Sequence, residues 1–195
     1  MSGIVAGFYG KLPARGDFVR AGLSREFTDP WDDWLQTVIA GSRSIMGEAW
    51  LPAYLEAPIW RFALPPGMCG SFAALGLMLP SVDKAGRYFP LTFAALRAGG
   101  FTASSGEAWL ERCEEAGLAA LEKDTPPEEI SAMIGAPDLP DEAVPSREAE
   151  WWSEGSSRVE PARMTLRCLP DAATYAAMLG DDTQAKGKSR WESTS

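Results

Sequence analysis

The chain has 195 residues, 46% of them hydrophobic, and a formal charge of −9 from 18 Lys and Arg against 27 Asp and Glu, with no histidine. The missing histidine excludes Ser-His-Asp and Cys-His catalysis, His-ligated metals and imidazole proton shuttles. No run of about 18 apolar residues argues for a membrane-spanning helix, and the apolar fraction suffices for one domain with a substantial core.

Residues 4–9 form a short apolar strand that breaks into a turn in which Lys11, Pro13, Arg15, Asp17 and Phe18 accompany Gly10 and Gly16. Glycines permit positive φ or close backbone approach, and Pro13 fixes its own φ. A P-loop reading fails: Val5 stands where glycine is needed, and Leu12 where Ser or Thr is needed. Asp29-Pro30 predicts a helix start. Trp31, Trp34, Leu35, Val38, Ser42, Ile45 and Met46 then lie on one face, and Gly47 ends the helix. A second helix over 48–56 precedes three strands, over 59–64, 71–79 and 89–96. Short turns between them predict antiparallel pairing.

Ser104 and Glu107 read as a capping box for a helix with Trp109, Leu110, Cys113, Gly117, Ala120 and Leu121 on one face. Thr125 caps a helix reaching residue 134, and residues 135–146 read as an acidic surface loop. A strand over 163–169 places Met164, Leu166 and Cys168 on one side. Asp171 caps a last helix closed by Gly180. The expected fold is α+β, a single domain over 1–180 with a mostly antiparallel sheet of about five strands and helices on both faces. Residues 181–195 read as a polar tail.

The charge is uneven. Residues 1–104 carry 9 Lys and Arg against 8 Asp and Glu, whereas residues 105–160 carry 4 against 15. Such a middle segment disfavours nucleic acid and anionic membrane and favours a basic partner surface. Cys69, Cys113 and Cys168 are dispersed and read as reduced, buried thiols. With no apolar leader in the first 20 residues, a cytoplasmic protein is expected.

Two loops concentrate unusual chemistry. The first is the turn over residues 11–18. The second holds Asp83, Arg87 and Tyr88 ahead of an aromatic strand. Both leave strand ends and are expected to lie near each other. Arg87 either offers its guanidinium to an anion or pairs with Asp17 or another acid, and Lys11, Arg15 and Arg87 together could form an anion pocket. The same residues could equally organise the loops, with Arg15 and Asp17 locking the turn and Phe18 filling the core. Trp151 and Trp152 either seal the core edge or offer an exposed interface anchor. Asp32 and Asp33 fall in a first helical turn, where the dipole favours acids. No cofactor or metal signature emerges, so no enzymatic activity is expected.

Six segments carry a family resemblance: Gly7-Phe-Tyr-Gly-Lys-Leu-Pro-Ala-Arg-Gly-Asp-Phe18, Pro30-Trp-Asp-Asp-Trp-Leu35, Ala57-Pro-Ile-Trp-Arg-Phe62, Met78-Leu-Pro-Ser-Val-Asp83, Gly86-Arg-Tyr-Phe-Pro-Leu91 and Trp151-Trp-Ser-Glu-Gly155. In this order, spread over residues 4–180, they resemble the TagF family, also called ImpM. The resemblance implies a non-enzymatic regulator that restrains type VI secretion after translation by binding a component such as the forkhead-associated scaffold. It brings no catalytic residue with it.

Overall fold

The computed structural model describes residues 3–104, 106–137 and 146–180. Seven antiparallel strands form one sheet in the order β2-β1-β5-β4-β3-β6-β7. They are β1 (Val5–Gly10), β2 (Val19–Ala21), β3 (Trp60–Leu64), β4 (Ala73–Leu79), β5 (Leu91–Arg97), β6 (Ala149–Ser153) and β7 (Ala162–Leu166). The helices are α1 (Arg25–Met46), α2 (Trp50–Leu55), α3 (Glu107–Glu122), α4 (Pro127–Ile134) and α5 (Ala172–Met178). This is the expected α+β architecture, with seven strands in place of about five. The tail over 181–195 and part of the expected acidic loop lie outside the described residues.

Every residue of β3, β4 and β5 is buried, because helices cover both faces of the sheet centre. Alternation divides the side chains into two cores. Trp60, Phe62, Leu64, Met78, Leu96 and Trp151 face α1, α2 and α5. Ala63, Leu75, Leu77, Leu79, Phe93 and Trp152 face α3 and α4.

The first core is aromatic, and several of its indoles are anchored, although the buried Trp151 Nε1 has no hydrogen-bond partner among the described residues. Trp31 Nε1 donates to Thr92 Oγ1 (2.9 Å), Trp50 Nε1 to Ser42 Oγ (2.8 Å) and Trp60 Nε1 to the Met178 carbonyl (3.0 Å). Each bond satisfies the polar end of a ring whose body is buried apolar surface. In the second core Arg61, adjacent to Trp60 on β3, points towards α3. It donates to Glu107 (2.6 Å) and Glu114 (3.0 Å). Burial alone would lower its pKa, but those two carboxylates outweigh it and raise it.

Several local expectations are corrected. Helix α1 begins at Arg25 with Ser24 as N-cap, so Pro30 lies inside it. Extending the helix back by a turn buries Phe27 in a stack on Trp31, with centroids 5.4 Å apart. Ile45, expected on the buried face, is 41% exposed. The Ser104–Glu107 capping box does not form: α3 starts from Gly106 at φ 69° with no side-chain cap, and Glu107 is held by Arg61. Thr125 caps nothing; its hydroxyl turns back to the Ala119 carbonyl. Asp171 does cap α5, accepting from Thr174 N at 2.8 Å. Strand β7 stops at Leu166, leaving Cys168 exposed while Cys69 and Cys113 are buried. Burial pushes the Cys69 thiol up to about 12. Among the described residues no helix is long and apolar enough to cross a membrane.

Candidate functional site

The turn over residues 11–18 joins β1 to β2 as a hairpin in which Gly10 pairs with Val19 and Tyr9 with Arg20. Gly10 is required there. Its φ is 149°, and a Cβ would sit 2.2 Å from the Pro90 carbonyl oxygen. Gly16 has neither constraint, since nothing lies within 4 Å of a Cβ built on it.

Lys11 and Asp83 meet beneath this hairpin. Lys11 Nζ donates to Asp83 Oδ2 at 2.8 Å, and the two side chains are 5% and 0% exposed. The same oxygen accepts from Arg87 Nε at 2.6 Å, while Oδ1 accepts from the backbone N–H groups of Ala85 and Arg87, both at 2.9 Å. Burial would raise the Asp83 pKa, but the hydrogen bonds from Lys11 and Arg87 overcome it and hold the carboxyl well below its usual range.

Further bonds tie the two loops together. Arg87 Nη2 donates to the Gly16 carbonyl, and Lys84 N to the Arg15 carbonyl at 3.0 Å. Ser81 Oγ donates to the Lys11 carbonyl at 2.6 Å, and the Tyr54 hydroxyl donates to the Ser81 carbonyl at 2.9 Å. Ser81 and Tyr54 carry no sequence signal for this role, because a loop serine and a helical tyrosine are ordinary until the loops are brought together.

The loops are therefore adjacent, with different partners from some of those considered above. Arg87 binds Asp83 and not Asp17, which is exposed. Arg15 does not lock onto Asp17; it pairs with Asp124 beyond the end of α3 at 3.2 Å. Phe18 does not fill the core and is 42% exposed. Its ring stacks on Tyr9 (5.3 Å), meets Phe89 edge-on (4.8 Å) and lies 4.2 Å from Lys11 Nζ. Tyr9 in turn donates to Asp32 Oδ1 at 2.7 Å, and burial followed by that bond raises its phenol pKa far above the ordinary value.

Beside Phe18 lies an open cleft of about 470 Å³ lined by Tyr9, Arg20, Arg25, Asp29, Asp32 and Asp33. Tyr88 does not line it and is half-buried against Trp50 and Tyr54. Trp151 and Trp152 are 0% and 5% exposed on opposite faces of β6, so neither offers an exposed indole. Among the described residues no three His, Cys, Asp or Glu side chains are grouped to hold a metal ion.

A family model described as the TagF N-terminal domain, type VI secretion system-associated, matches residues 7–136. The fold is similar to the crystal structure of PA0076 from Pseudomonas aeruginosa PAO1, determined at 2.05 Å resolution. That likeness has a TM-score of 0.79 at 33% identity, over 94% of this chain and 97% of that chain. A search of curated proteins found no match. The hairpin and its partner loop both lie within the matched segment, and the chain belongs to the TagF N-terminal domain family, which is associated with type VI secretion.

Proposed function

We propose that the protein is a non-enzymatic cytoplasmic regulator that restrains type VI secretion by binding a component of the apparatus. The forkhead-associated scaffold is the partner implied by the resemblance. The observation that carries this reading is Phe18, a large aromatic side chain left 42% exposed on a hairpin that internal bonds hold rigid. An anchor ordered before binding loses little entropy on docking, and aromatic anchors supply much of the affinity at protein interfaces. The adjoining cleft, with Arg20, Arg25, Asp29 and Asp33 at its surface, offers polar contacts around that anchor.

The chemistry of the loops supports a binding role over a catalytic one. Asp83 accepts four hydrogen bonds and is held ionised, which suits neither a general acid nor a general base. An anion pocket of Lys11, Arg15 and Arg87 is the weaker alternative, because each cation is already paired with a carboxylate: Lys11 and Arg87 share Asp83, and Arg15 holds Asp124.

The test is Phe18→Ser in the purified protein, with calorimetric titration against the forkhead-associated scaffold and a secretion assay in cells. The expected result is an unchanged fold, affinity reduced by about 30-fold, as for an interface anchor worth about 2 kcal/mol, and released secretion. Undiminished binding and repression would remove the hairpin from the interface.

A further inference from the structure

Helices α3 and α4 cover the second face of the sheet with Trp109, Leu110, Cys113, Ala116, Ala120, Ile130 and Ile134 turned inward. The outward stripe of α3 reads Glu111, Glu115, Leu118 and Glu122, all exposed and at helical spacing. Helix α4 adds Glu128, Glu129 and Met133. Leu118 is 46% exposed and Met133 36%.

The α3 part of this face opposes the stability of its own helix, whereas Glu128 and Glu129 lie in the first turn of α4, where the macrodipole favours acids. Glu107, Glu111 and Glu115 place like charges four residues apart, which destabilises a helix. Glu122 sits in the last turn of α3, where the macrodipole disfavours an acid, and that turn holds no basic residue. None of Glu111, Glu115, Glu122, Glu128 and Glu129 forms an ion pair with another described residue. Two nearby arginines are engaged elsewhere, Arg112 with the carbonyls of Ala108, Ile134 and Ala136 and Arg15 with Asp124, and Lys123, exposed at the end of α3, forms no ion pair with a described residue. These carboxylates are therefore without ion pairs among the described residues, and Leu118 and Met133 are exposed on the same two helices.

We propose that the α3–α4 face docks a basic amphipathic helix of a protein partner. Its Lys or Arg residues meet Glu111, Glu115, Glu122 and Glu129, and apolar residues cover Leu118 and Met133. The inference rests on the reading of this chain as a binding protein and adds a second surface to it. Charge selects the occupant. A second copy related by a two-fold axis would set these carboxylates against themselves, and nucleic acid or anionic lipid would be repelled. A helix fits because its side chains recur at the spacing of the acidic stripe.

The probe is a fluorescein-labelled Lys/Leu amphipathic peptide of about 18 residues, or five helical turns, titrated into the full-length chain. A scrambled peptide of the same composition is the control. E111Q/E115Q/E122Q should weaken binding by about tenfold, equivalent to about 1.4 kcal/mol. E48Q/E154Q/E160Q, which removes the same charge elsewhere, should leave it nearly unchanged. L118S should weaken binding with no effect on fold, and the scrambled peptide should bind less tightly than the amphipathic one.

Equal losses from the two triple variants would overturn the proposal, since binding would then follow net charge alone. A dimer of the protein alone that L118S dissolves would overturn it too, by placing a second copy on the face. F18S separates the two surfaces. Retained peptide binding is expected, whereas its loss would place the peptide on the hairpin and end this inference. If F18S still binds the scaffold and represses while the α3–α4 variants behave as expected, the hairpin reading falls and this one stands.

Discussion

The Asp83 cluster and the α3–α4 face are both rich in charge and differ in how that charge is answered. At Asp83 each carboxylate oxygen has two donors, both close cations lie against it, and an aromatic ring covers Lys11. On α3 and α4 five exposed carboxylates form no ion pair with a described residue. Charge density is therefore a poor marker of a partner site, and missing compensation is a better one. A saturated cluster orders a loop, whereas an unanswered one remains available to another molecule.

The largest effect expected is at the saturated cluster. Lys11→Met leaves Asp83 buried with one cation fewer. Breaking a buried pair in this way should cost about 3 kcal/mol, or about 10 °C in Tm for a chain of this size, read by calorimetry. If Lys11→Met melts like the parent, the cluster is no stronger than a surface pair and the contrast fails.

The acid limb of stability is the next test. Because the folded Asp83 pKa is depressed, its contribution is complete above the unfolded value of about 3.9 and is lost as pH falls below that towards the folded value. Denaturant titrations between pH 7 and pH 3 should show a steeper loss in the parent than in Asp83→Asn. Parallel slopes would show that Asp83 is not held ionised by its neighbours.

Arg61→Leu should have an intermediate effect, about 1.5 kcal/mol. The guanidinium is buried, but Glu107 and Glu114 are 54% and 34% exposed and can rehydrate. A loss as large as that of Lys11→Met would show that the carboxylates, too, depend on the pair. Arg15→Ala removes a pair whose side chains are 39% and 66% exposed, so denaturant unfolding should change by less than about 1 kcal/mol. The smallest effect should have the opposite sign. Glu115→Gln relieves like-charge repulsion on α3 and should raise stability by about 0.3 kcal/mol. A measured loss would reveal a compensating contact and weaken the case for an unanswered face.

Much of the fold is legible in the chain because its rules are local. The faces of α1 and α3, the Asp171 cap and the central strands follow from spacing within a few residues. Strand β2 escapes because three residues cannot establish a period, and it exists only through pairing with β1. Strand β6 escapes for another reason: adjacent Trp151 and Trp152 violate apolar–polar alternation, yet both are buried because helices cover both faces of the sheet. Ser104 and Glu107 match a capping box, but Arg61 on a distant strand holds Glu107 at 2.6 Å instead.

The two charged loops were recognisable as unusual from glycine, proline and paired charges, and their residues also carried the family resemblance. Their partners across the two loops were not recognisable. Lys11 and Asp83 stand 72 positions apart, whereas Asp83 lies only four residues from Arg87, so of these pairs only that one is local. The family, the α+β class and the absence of histidine chemistry could be read from the chain, since these depend on residue identity and short-range order. Which charges are buried and paired, which aromatic rings are left at the surface and which acidic side chains stand without ion pairs emerged from the folded molecule. Those outcomes depend on desolvation and on contacts between distant segments, and both exist only once the chain has folded.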